Sequence, residues 1–133
     1  LLTFAQYVLT TQSDPGKDTI PTFNPTCLVS TPERPWLATF IPGYLSYQSR
    51  DKADVVCVFV AATKYTQLMS VSDIAGDQYA YLQFVMLASG THTCFLVWKD
   101  KEQLLTHVVI QRDCLVSEAM LDFIQHNRTM ISI

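Results

Sequence analysis

Histidines, cysteines and scattered carboxylates are where chemistry would have to start in this chain. His92, His107 and His126 are the candidate bases that titrate near neutrality. His107 lies in Leu104-Leu105-Thr106-His107-Val108-Val109, an apolar setting that suits a histidine packed in a strand. His126 closes a helical pattern, where a positive charge suits the helix dipole. Ser89-Gly90-Thr91-His92 sets a hydroxyl near an imidazole, an adjacency that by itself makes no nucleophile. Asp73, Asp77 and Asp100 fall in turn-like stretches that solvate them. No Gly-x-Ser-x-Gly elbow, His-Glu-x-x-His pair, P-loop or dinucleotide fingerprint occurs. The expectation is a protein that is not an enzyme, with no catalytic residue, metal or cofactor.

Cys27, Cys57, Cys94 and Cys114 contain no Cys-x-x-Cys pair, and no histidine stands at zinc-site spacing from them. An even count points to two disulfides and an oxidising compartment. Four cysteines allow three pairings. A Cys94–Cys114 bridge would close a loop of about twenty residues, worth ~3 kcal/mol in the loop-entropy view. Asn127-Arg128-Thr129 is a glycosylation sequon, which agrees with secretion, whereas Pro25 disqualifies Asn24-Pro25-Thr26. No charged n-region opens the chain, which reads as a mature sequence. The expected location is extracellular.

Composition limits the partners. The 133 residues suit one domain spanning 1–133, and they are 49% hydrophobic but only 16% charged, with net charge −3. No basic cluster is present to follow a phosphate backbone, which argues against nucleic acid. The longest apolar runs, such as Val55 to Ala62, are too short for a membrane span. The apolar excess therefore calls for a ligand cavity or a partner surface.

All six prolines precede residue 43, and 14–35 reads as a Pro-rich, extended connection. Before it, Phe4 to Thr11 is rich in β-formers and reads as a first strand. After it come candidate strands Trp36 to Ile41, Tyr44 to Gln48, Asp54 to Ala62, Lys64 to Val71, Tyr79 to Leu87, His92 to Trp98 and Leu104 to Gln111. Turn chemistry separates them: Pro42-Gly43, Ala75-Gly76-Asp77, Ser89-Gly90 and the Lys99 to Glu102 knot. From Leu115 to His126 the period becomes helical, with Leu115, Val116, Ala119, Met120, Phe123 and Ile124 on one stripe and Asp113 placed as N-cap. Asn127 reads as a helix stop, with a short last strand over 130–133.

This order of meander strands and a late helix resembles the lipocalins. Ala5-Gln6-Tyr7-Val8-Leu9-Thr10-Thr11-Gln12 looks like the family's first strand, with Ala5 and Tyr7 standing where its Gly-x-Trp would be. Cys94-Phe95-Leu96-Val97-Trp98, followed by a helix-opening Cys114, is similar to the divergent lipocalins of blood-feeding arthropods. The resemblance implies an antiparallel β-barrel of about eight strands with one α-helix packed outside. It also implies a Cys94–Cys114 bridge, which leaves Cys27 to pair with Cys57.

In such a barrel Leu82, Phe84 and Met86 would form an apolar inner set on one strand. Phe95 and Val97 would face the same cavity from the next. The implied function is a secreted carrier or scavenger of a small apolar or amphipathic ligand, held by these five residues. Homo-oligomerisation is compatible with it. The alternative is an extracellular β-sandwich that uses its apolar surface for protein–protein assembly.

Overall fold

The computed structural model describes residues 3–12, 21–47, 53–59, 74, 76–99, 102 and 104–131, with side chains as far as 127. The order is α1 (Phe4–Gln12), β1 (Thr22–Thr31), β2 (Arg34–Ser46), β3 (Val55–Phe59), α2 (Gly76–Ser89), β4 (Thr93–Lys99), β5 (Leu105–Gln111) and α3 (Cys114–Ile131). The strands form one open sheet in the order β1-β2-β3-β4-β5. All neighbours are antiparallel except β3 and β4, which run parallel, with Val56 opposite Cys94 and Phe59 opposite Val97. A parallel pair needs a crossover, and α2 lies within it. The expected closed eight-stranded antiparallel barrel is therefore wrong, and the described residues form no second sheet for a sandwich.

Two expected strands are helices. At the first, Thr3 and Gln6 make a reciprocal capping box. Gln6 Oε1 accepts from the Thr3 amide at 3.0 Å, and Thr3 Oγ1 accepts from the Gln6 amide at 3.2 Å. Thr10 and Thr11, read as β-formers, instead donate their hydroxyls to the Gln6 and Tyr7 carbonyls one turn back. The second, over Tyr79 to Leu87, belongs to α2. Leu82, Val85 and Met86 face the sheet, while Leu87 and Ala88 face a separate cluster shared with β2 and α3. Burial on two sides erases the one-stripe signature of a surface helix. The helix ends in a Schellman motif: Thr91 N–H bonds the Met86 carbonyl, Gly90 N–H the Leu87 carbonyl, and Gly90 takes φ +72°. That left-handed conformation suits glycine because it carries no Cβ.

The Pro-rich stretch contains an edge strand. Pro25 sits in β1, at the sheet edge where a missing donor is tolerated. Pro42 is interior to β2, and the ladder skips it, running from Pro25↔Gly43 to Cys27↔Ile41. Thr26, on the opposite side of the gap, is pushed to φ +26°. The expected segments starting at Trp36 and at Tyr44 thus merge into one strand that ends at Ser46, and Gln48 lies outside the described residues. His92 to Trp98 and Leu104 to Gln111 form the expected hairpin, as β4 and β5. The expected strand over Lys64 to Val71 lies outside the described residues.

The core has two sides. Val56, Val58, Cys94, Leu96, Trp98 and Ile110 pack under α2, while Leu45, Val55, Cys57, Phe95 and Val97 pack under α1 around Val8. Asp113 caps α3, its Oδ1 accepting from Leu115 N at 3.0 Å and Val116 N at 3.3 Å. The helix is rotated from the expected stripe. Met120, Leu121 and Ile124 pack inward, whereas Leu115 and Phe123 are 80% and 70% exposed. It runs through Asn127 to Ile131, so Asn127 is no stop and 130–133 does not open a strand at Met130.

Candidate functional site

Among the described residues, three polar constellations stand out as candidates. The first joins α1 to β5. Tyr7 Oη lies 2.6 Å from His107 Nδ1, and Phe95 stacks on the imidazole at 4.3 Å. Burial lowers the His107 pKa and raises that of Tyr7. A neutral imidazole can accept the phenol proton on Nδ1, which puts its own proton on Nε2. The second holds the β2–β3 connection: Asp54 accepts from Tyr44 Oη on Oδ2 at 3.0 Å and from the Tyr47 amide on Oδ1 at 3.2 Å. Burial first, then the Asp54 hydrogen bond, pushes the Tyr44 phenol up to about 12.

The third lies where β2, the β5–α3 link and α3 meet. A cavity of about 180 Å³ is lined by Arg34, Arg112, Cys114, Ser117 and Glu118 over a floor of Leu87 and Leu121. Arg112 Nε donates to Ser117 Oγ at 3.1 Å, and its backbone N–H to the His92 carbonyl at 2.9 Å. Arg34 and Arg112 are far apart in sequence, so their meeting was invisible there. A larger cavity, about 370 Å³, opens beside β1 and is lined by Asn24, Cys27, Tyr44 and Ser89 among others.

The residues expected to line a barrel cavity do not converge. Leu82 and Met86 lie in the core under α2, with Phe84 packed at its margin, whereas Phe95 and Val97 lie on the opposite side of the sheet under α1. Alternation on β4 does separate Cys94 from Phe95, but both faces are buried. The four cysteines are free thiols, so neither Cys94–Cys114 nor Cys27–Cys57 is bridged. Cys94 is buried in the sheet core, while Cys114 is exposed at the start of α3. Asn127 sits inside the last turns of α3, its Nδ2 donating to the Phe123 carbonyl at 2.8 Å. His92 and His126 are both exposed.

The fold is that of a mixed open sheet with helices on both faces, and it has a solved counterpart. The chain is similar to an alkaline exonuclease from Laribacter hongkongensis, with TM-score 0.55 and 13% identity, over 96% of this chain and 69% of that one. No family model and no curated protein matches. The likeness, with the open sheet, overturns the lipocalin resemblance and with it the roles of ligand carrier and transport protein. It also removes the grounds for excluding an enzyme and for excluding nucleic acid as partner. Among the described residues no helix is long and apolar enough to cross a membrane.

Nucleases commonly hydrolyse phosphodiesters with divalent cations held by carboxylate oxygens. Among the described residues no group of three or more His, Cys, Asp or Glu could hold a metal ion. Asp54 has both oxygens committed to tyrosines, and Asp113 has one committed to the α3 cap. The described residues do not fit such a metal centre.

Proposed function

We propose that this chain engages nucleic acid through an exonuclease-type fold. The observation that supports the reading most is the structural likeness to an alkaline exonuclease across nearly the whole chain. Fold alone does not carry an activity, so the residues must agree, and one feature does. The net charge is −3, yet the fold collects two arginines in one cavity. A strand could be held there by its backbone, with affinity that falls as salt rises.

Fluorescence anisotropy on labelled single- and double-stranded oligonucleotides, from low to physiological salt, tests binding. The same mixtures, run with Mg²⁺ or Mn²⁺ on a denaturing gel, test strand shortening. Salt-sensitive binding is the expected result, and progressive shortening would add nuclease activity to it. No binding and no shortening of any substrate at low salt refutes the proposal.

A further inference from the structure

We infer that the Arg34–Arg112 cavity is a phosphate-binding site, the place where one backbone phosphate of a nucleic-acid strand is anchored. The inference rests on the reading above for its biological ligand, though not for its anion chemistry. Arg34 opens β2 directly after the Pro32-Glu33 turn, and Arg112 lies in the two-residue link between β5 and α3. Packing of Leu87 on Leu37 and of Leu121 beside them brings Arg34 and Arg112 to the wall of one cavity.

Arg112 is held in place before any ligand arrives. Ser117, only 2% exposed, holds Arg112 Nε, and the backbone of Arg112 is tied to His92. That bond holds the guanidinium through Nε, and the planar fork of an arginine matches phosphate oxygens. The cavity also sits at the N-terminal end of an 18-residue helix, whose dipole adds positive potential there. Asp113 already satisfies the Leu115 and Val116 amides, so the guanidinium groups supply the direct contacts.

Glu118 lines the same cavity and opposes them. Two cations line the cavity against that one lining carboxylate, with the Asp113 cap at the helix end beside them, and Glu118 gives the site a signature. Removing an arginine and removing Glu118 must act in opposite directions on an anion. No apolar or cationic ligand would produce that pair of signs.

The test measures affinity for a labelled single-stranded oligonucleotide as a function of salt. Arg34→Ala should weaken binding severalfold and lower the salt slope by about one phosphate contact, while Glu118→Gln should tighten it. Arg112→Lys, which keeps the charge and loses the fork, should weaken it as well. Thermal melts confirm that each variant is folded. In parallel, inorganic phosphate is titrated into ¹⁵N-labelled protein while the Arg34 and Arg112 Nε–H resonances are followed, with chloride as control. If the parent binds oligonucleotide and all three variants match it in affinity and slope, the site is refuted and the nucleic-acid reading stands. If the parent binds no nucleic acid, phosphate-specific shifts of both arginines support the anion site alone. No shift in that case overturns it.

Discussion

Replacing Gly43 by alanine probes the tightest approach in the sheet. Its backbone φ is ordinary, so what excludes a side chain is space. A Cβ there would lie 2.7 Å from Cε2 and Cζ of Phe23 and 3.2 Å from Cβ of Cys57. Comfortable carbon contacts are about 3.5–4.0 Å, so the Phe23 ring must retreat by roughly 1 Å. Its room is limited, because Phe4 stands edge-on to it at 5.6 Å and itself leans on Phe59 at 5.5 Å. Overpacking of this kind costs about 1–3 kcal/mol. The lost freedom of the unfolded chain returns about 0.4–1 kcal/mol, so Gly43→Ala should lose about 1–2 kcal/mol net. For a domain of this size that lowers Tm by about 3–10 °C. Urea unfolding of four proteins closes the cycle: parent, Gly43→Ala, Phe23→Leu and the double variant. In the Phe23→Leu background, which lacks the clashing ring atoms, Gly43→Ala should be neutral or slightly stabilising. Equal destabilisation in both backgrounds, or none in the parent, would refute the steric account.

Three further outcomes are expected. Gln83 is fully buried and bridges the Gln111 carbonyl at 3.1 Å and the Asp113 amide at 2.8 Å. Gln83→Leu orphans both, so denaturant unfolding should show a loss of about 2–4 kcal/mol, and an unchanged midpoint would contradict it. Burial holds the His107 pKa below 6.5, so the folded chain prefers the neutral ring and the unfolded chain takes up the proton first. Its contribution to stability is complete above about pH 6.5 and is lost as the pH falls through the lower folded value. Tm should therefore drop more between pH 7.5 and 5.5 in the parent than in His107→Gln, and parallel drops would argue against it. An aromatic-disulfide thiol reagent should modify exposed Cys114 quickly. Burial pushes the Cys57 thiol up to about 12 and raises Cys94 as well, so both should react only in denaturant; rapid loss of all four thiols would contradict the packing.

The sequence by itself determined the local features whose causes are local. Asp113 at the head of a 3.6-residue period, the turn-separated hairpin of β4 and β5, and the helical run after Cys114 all follow from residues within a turn of each other. The capping box Thr3-Phe4-Ala5-Gln6 and Gly90 after Ser89 were also legible. They mark the start of α1 and the end of α2, but the β-forming Tyr7, Val8, Thr10 and Thr11 outweighed the first. What tertiary structure alone decided is whatever depends on more than one face. Tyr79 to Leu87 is apolar almost all round because α2 is buried between the sheet and α3, and such a run carries no period to separate helix from strand. The alternation of β3 names no inner face because both its faces are covered, by α1 and by α2. Paired cysteines were a reading of count, and the fold overruled it: all four are free thiols, with Cys94 in the core and Cys114 on the surface. The meeting of Arg34 with Arg112 follows only from the packing of β2, α2 and α3, since separation along a chain says nothing of separation in space until the helices have docked.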